Sequence, residues 1–218
     1  MATHPAAPVD DLKRVSEAES RLFSTVRALD HTAMQSPSLL PDWTVGHLLT
    51  HLARNADSHT RRTVASIEGV VVDQYPGGLA ERAAEIEAGA GRRAASILED
   101  VAMSSARMLE GWADVPDHAW AGITRDASGR ERPLVELPAR RWLEVEVHLV
   151  DLDTGPTHRD WSDTFVAVQL PQMRADLAHR LPDGVAPPQV DALDERDELA
   201  WLYGRRARAD LPVLGPWS

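Results

Sequence analysis

Two stretches of this chain place metal-ligating side chain types at helical spacing. In WLEVEVHLVDLD, Trp142 to Asp153, a helix would put Glu144, His148 and Asp151 at i, i+4 and i+7 on one polar stripe of an otherwise apolar segment. Counted by twos, the same residues read as a half-buried strand, with Leu143, Val145, Val147 and Leu149 on one face and Glu144, Glu146 and His148 on the other. In HLLTHLARNADSH, His47 and His51 are four apart, and Asn55 and His59 follow on the same stripe. Two imidazoles four residues apart share a helix face, which is how one helix supplies two metal ligands, although a lone pair is more often solvated or buried in a core. A second i, i+4 pair changes that balance, because facing helices of a bundle can converge such residues on one ion.

The chain around these stretches reads as mostly helical. Leu12, Val15, Ala18, Leu22, Val26 and Leu29 form one apolar stripe, which predicts a first helix over residues 9–29. PSLLPDWTVGH reads as a turn into a second helix, capped by Asp42 or Thr44 and running to Ile67. Residues 79–115, rich in Ala, Glu, Arg and Leu, predict a third helix that continues through Gly89 and Gly91. β-Prone runs around DASGRE predict a small hairpin. Pro138 then stands where a first helical turn tolerates proline, and three preceding helices favour a fourth over a lone strand. After a soft boundary near Gly155 come a helix interrupted at Pro171, a Pro-rich link and a short helix over residues 197–209.

The 218 residues carry 23 Lys plus Arg against 34 Asp plus Glu, a formal net charge of -11, which argues against nucleic-acid and anionic membrane partners. There is no cysteine, so thiolate metal sites and a protein thiol nucleophile are excluded, and any metal must sit on His, Asp or Glu. The opening MATHPAAPVDDLKR has no charged segment leading into an apolar one, so the expectation is a cytoplasmic protein, as a monomer or small homo-oligomer. The seven tryptophans are scattered and read as core packing, not as a stacking platform for bases.

WTVGHLLTHLARNADSH, followed by RRWLEVEVHLVDL and the terminal DELAWLYGRRARADLPVLGPW, resembles the mycothiol-dependent maleylpyruvate isomerases of the DinB-like four-helix superfamily. The resemblance implies a mainly α fold: a metal-binding helical bundle over residues 1–155, and a small C-terminal domain, 156–218, contributing to the active site. That segment is short and dominated by helix and proline where the family usually has a fuller α/β domain. It further implies a divalent metal, usually zinc, on His51, Glu144 and His148, which favours the helical reading of residues 142–153 and leaves His47 a bystander. Mycothiol would be the thiol cosubstrate. Its thiolate would add to the cis double bond of maleylpyruvate, and rotation and expulsion would give fumarylpyruvate. Arg205 matches the arginine that holds the anionic substrate, with Arg206 as substitute if the register slips by one. Arg141, Asn55 and Asp151 are expected to orient the ligands or meet substrate. Two other readings compete: a mycothiol S-transferase acting on another electrophile, and a metal-stabilised bundle that binds a ligand without turnover.

Overall fold

The structure is a computed structural model, and it describes residues 6–190, 193–206 and 208–217. Two compact units make it up, one ending at His148 and the other beginning at Leu149.

The first unit is built around α3, Val45–Ile67. Of the two sequence candidates for its cap, Thr44 takes the position, while Asp42 sits in the preceding turn at φ 64. The Thr44 hydroxyl accepts from the His47 N–H, and His47 Nδ1 accepts from the Thr44 N–H at 3.2 Å, closing a capping box. Before it come α1, Val9–Val26, which buries Val15, Ala18, Leu22 and Val26 completely, and the short α2, His31–Gln35.

The third predicted helix is two helices. α4, Gly78–Ala90, ends at Gly91, and α5, Ala94–Ala113, starts after the extended Arg93. The break has a steric partner. A Cβ on Gly89 would lie 2.4 Å from Thr50 Cγ2, and one on Gly46 would lie 2.5 Å from the Ala90 carbonyl oxygen, so two bare backbones let the end of α4 press onto the start of α3. Propensity summed along the segment does not register that approach.

β1, Ile123–Arg125, and β2, Glu131–Pro133, form the predicted hairpin, with Thr124 opposite Arg132. Its turn is held by Asp126, whose carboxylate accepts from the N–H groups of Ser128 and Arg130, both at 3.0 Å, with Gly129 at φ 82. α6, Leu137–Asp151, follows and settles the strand-or-helix question for residues 142–151 in favour of helix.

The second unit contains the end of α6, α7 (Asp163–Arg180) and α8 (Glu195–Leu202). α7 runs straight through Pro171, contrary to the expected interruption. Proline forfeits one backbone hydrogen bond there, but it lies on the exposed side, and burial of Phe165, Val166, Leu170 and Met173 offsets the loss. α8 is shorter than predicted because Gly204 adopts φ 73 and ends it, leaving Arg205 just beyond the helix. Trp161, Phe165, Tyr203 and Trp217 form the aromatic core of this unit, with ring centroids 5.1–6.5 Å apart. Among its described residues there is no strand.

Among the described residues no helix is long and apolar enough to cross a membrane.

Candidate metal centre

α3 and α6 present their polar stripes to each other, and three of the predicted residues meet there. His51 Nε2 lies 3.1 Å from Glu144 Oε2, and His148 Nε2 lies 3.4 Å from the same oxygen. One ligating atom from each residue lies within 4.8 Å of the others, and the two imidazoles meet edge to face at 5.0 Å. The histidines are buried and Glu144 is half-buried.

The protonation states suit a cation. Burial lowers the His51 pKa to about 4, with Glu144 pulling it upward and His148 and Arg82 pushing it further down, so the ring is neutral at pH 7. Burial pushes the Glu144 carboxyl up, but hydrogen bonds from His148 and His51 outweigh it and hold the group well below the ordinary carboxylate range. A neutral imidazole beside an ionised carboxylate is the donor set that a borderline divalent ion takes, and no proton has to be removed from it at neutral pH.

A pH test of the metal-free protein follows. The folded protein refuses a proton at His51 that the unfolded chain accepts below about 6.5, so stability is full above that pH and is lost as pH falls toward 4. At ~1.4 kcal/mol per pH unit, a pKa moved from 6.5 to about 4 should account for about 3 kcal/mol from His51 alone. His59, also buried and lowered first by burial, adds in the same direction. Urea midpoints in chelator at pH 7 and 4.5 check this. The difference should shrink in His51→Gln, and equal midpoints for the native chain would contradict the argument.

The other predicted residues are placed as follows. His47 is occupied by the capping box and reaches Glu87 at 3.2 Å. Arg141, fully buried, donates to Asn55 Oδ1 at 2.9 Å, to the Leu52 carbonyl at 2.8 Å and to Glu19 at 2.6 Å. Asn55 and Arg141 therefore bond each other one turn away from the ligands and tie α1, α3 and α6 together. Glu146, off the ligand face, is also buried and pairs with Arg21 and the Trp142 indole. In the second unit, Arg205 grips Asp151 with two bonds, of 2.8 and 2.6 Å, and donates to the Tyr203 carbonyl. Arg206 is taken up by Asp197.

Sequence reading missed two neighbours of His51. Arg82 Nη2 lies 3.0 Å from His51 Nδ1, and the Trp43 ring packs 5.6 Å from the imidazole. Arg82 carried no local signal, since only the tertiary placement of α4 brings it here.

The sequence model of the mycothiol maleylpyruvate isomerase N-terminal domain matches residues 15–153, and so spans α3 and α6 with all three converging side chains. The chain belongs to this family. Among solved structures, a mycothiol-dependent maleylpyruvate isomerase matches with a TM-score of 0.85 and 21% identity, over 96% of this chain and 97% of that one. A histidine-to-alanine mutant described under the same enzyme name matches with a TM-score of 0.84, also at 21% identity and the same coverage. No curated protein sequence matches. The maleylpyruvate isomerase fold thus extends past the N-terminal domain through the C-terminal segment. Nearly all of the other chain is matched as well.

Proposed function

We propose that the protein is a metal- and mycothiol-dependent cis–trans isomerase converting maleylpyruvate to fumarylpyruvate. The observation that carries the proposal is the convergence of His51 Nε2, Glu144 Oε2 and His148 Nε2, with no fourth His, Asp or Glu joining them among the described residues. A donor set of three is the pattern of catalytic sites, whereas structural zinc takes four. A divalent ion there, zinc by its donor chemistry, would supply a position at which a thiol is deprotonated near neutral pH. That chemistry suits a chain with no thiol of its own. The family match and the solved neighbours support the same reading.

The chain's own residues would bind and orient. The depressed Glu144 carboxyl keeps the donor set anionic, and the tilted Trp43 ring walls His51 on one side. Arg205 is proposed to serve the anionic substrate. Asp151 and the Tyr203 carbonyl use three of its five N–H groups and fix the plane of its fork, leaving a pre-oriented edge. Lysine cannot reproduce that fork, so Arg205→Lys should lose about as much kcat/KM as Arg205→Ala, roughly thirty- to a thousandfold, with metal content unchanged. Near-normal kinetics in both variants would return Arg205 to a purely structural role.

The deciding experiment assays the purified, zinc-loaded protein with maleylpyruvate, with and without mycothiol. Turnover that depends on the thiol is expected. Undiminished turnover without thiol would point to a metal-activated water instead. Thiol consumption without isomerisation would favour transfer to another electrophile.

A further inference from the structure

We infer that Arg82 couples the metal centre to a small carboxylate-bearing anion: cation loading breaks its contact with His51, and the cleft it shares with Arg54, Arg61 and Tyr75 receives the anion. The inference rests on the metal reading of the site, and not on which reaction the site performs.

The first half follows from donor and acceptor roles. A guanidinium has five N–H donors and no acceptor, so its contact at 3.0 Å requires His51 Nδ1 to present a lone pair. The proton of the neutral ring is then on Nε2, where it faces Glu144 Oε2 at 3.1 Å. Ligation through Nε2 moves that proton to Nδ1, which in metal-bound histidines donates outward. Two N–H groups would then face each other across the His51–Arg82 contact. Arg82 has to leave.

The second half follows from what lies beside it. The Arg82 guanidinium carbon is 5.9 Å from the Trp43 ring centroid and 5.7 Å from that of Tyr75, so the head lies between aromatic rings, with no carboxylate partner among the described residues. It lines a cleft of about 180 Å³, several times the ~30 Å³ a water takes in the liquid. The other two cationic heads in the cleft are partly committed. Arg54 pairs with Asp57 and Asp100, and Arg61 donates to the Gln74 carbonyl. The Nε atoms of Arg54 and Arg61 are nevertheless buried and have no hydrogen-bond partner among the described residues. Of the three acidic groups there, Asp57 is held by Arg54 and Arg107, Glu81 accepts the Gly77 N–H at 2.6 Å, and Glu85 is the one left to compete for the guanidinium. A released guanidinium beside a metal ligand, in a cleft that two further arginines line, calls for an acceptor with two oxygens, and a carboxylate is the smallest one. Binding at the two places is then linked, so each ligand raises the affinity of the other by the same factor.

Zinc titrated calorimetrically into metal-free protein, with and without maleate as the probe anion, tests this. Arg82→Gln, whose side-chain carbonyl can accept from a protonated Nδ1, should bind zinc about five- to fiftyfold more tightly than the native protein when no anion is present. Arg82→Lys remains a pure donor and should bind zinc as the native protein does. Maleate should tighten zinc on the native protein about fivefold or more and should have no such effect on Arg82→Gln. Circular dichroism and urea midpoints confirm that each variant is folded. Equal zinc affinity in native and Arg82→Gln protein overturns the release. A maleate effect that persists in Arg82→Gln means that the anion meets the cation directly, and it overturns the cleft. No maleate effect on the native protein, with tight zinc in Arg82→Gln, means that Glu85 of the same cleft captures the freed guanidinium, and it overturns the anion site. Linkage without turnover of maleylpyruvate would leave this inference standing and remove the isomerase reading; turnover without linkage would do the reverse.

Discussion

The His51→Ala, Glu144→Ala double variant should emerge without stoichiometric divalent metal and with turnover reduced by at least about a thousandfold, ~4 kcal/mol of transition-state stabilisation. Glu144 Oε2 is the atom to which both histidine nitrogens converge, at 3.1 and 3.4 Å, so its removal takes the shared anionic oxygen from both rings. Losing His51 as well strips α3 of its contribution and leaves His148 the lone member of the cluster. One ligand cannot hold a borderline cation against chelator. Elemental analysis after dialysis, paired with the thiol-supplemented assay, checks both halves. Full metal occupancy in the double variant would place the centre elsewhere in the chain. The variant should fold, since alanine is a good helix former at both positions.

The second large effect concerns stability. Arg141→Met should destabilise the protein by about 3–5 kcal/mol, read as a shifted urea midpoint, because it leaves the buried Glu19 carboxylate with Ser105, at 2.9 Å, as its one remaining side-chain partner among the described residues. Arg141 is fully buried and Glu19 is 6% exposed, so water does little to screen the loss. The Arg141 guanidinium is itself incompletely satisfied, with Nη2 buried and without a partner among the described residues. Replacing both charges by apolar groups of similar size, as in Glu19→Met with Arg141→Met, should therefore recover much of the loss. A single variant within about 1 kcal/mol of the native protein would show that the pair contributes little.

The three side chains that converge were legible in part from local spacing, with the choice of His51 over His47 coming from the family resemblance. Glu144 and His148 announce a shared helix face by spacing, and His51 lies on a stripe of the same kind. The partner of Arg141 was not legible, since Glu19 is 122 residues away along the chain. Arg82 escaped for the same reason. Pro171 and Gly91 show opposite errors of local reading. A helix breaker was tolerated where apolar burial on both sides held α7 together, and a tolerable glycine ended α4. Gly204 stopped α8 in a stretch whose arginines and alanines favour continuation.

The close seating of α4 on α3 bears on the candidate metal centre. Two absent methyl groups, at Gly46 and Gly89, set the clearance between these helices, and that clearance sets the reach from Arg82 to His51. Alanine at Gly46 would meet the Ala90 carbonyl oxygen and could be admitted only by moving α4 outward, which would lengthen the reach from Arg82 to the imidazole. The glycines, which have no chemistry of their own, thus set the surroundings of the donor set by what they leave out.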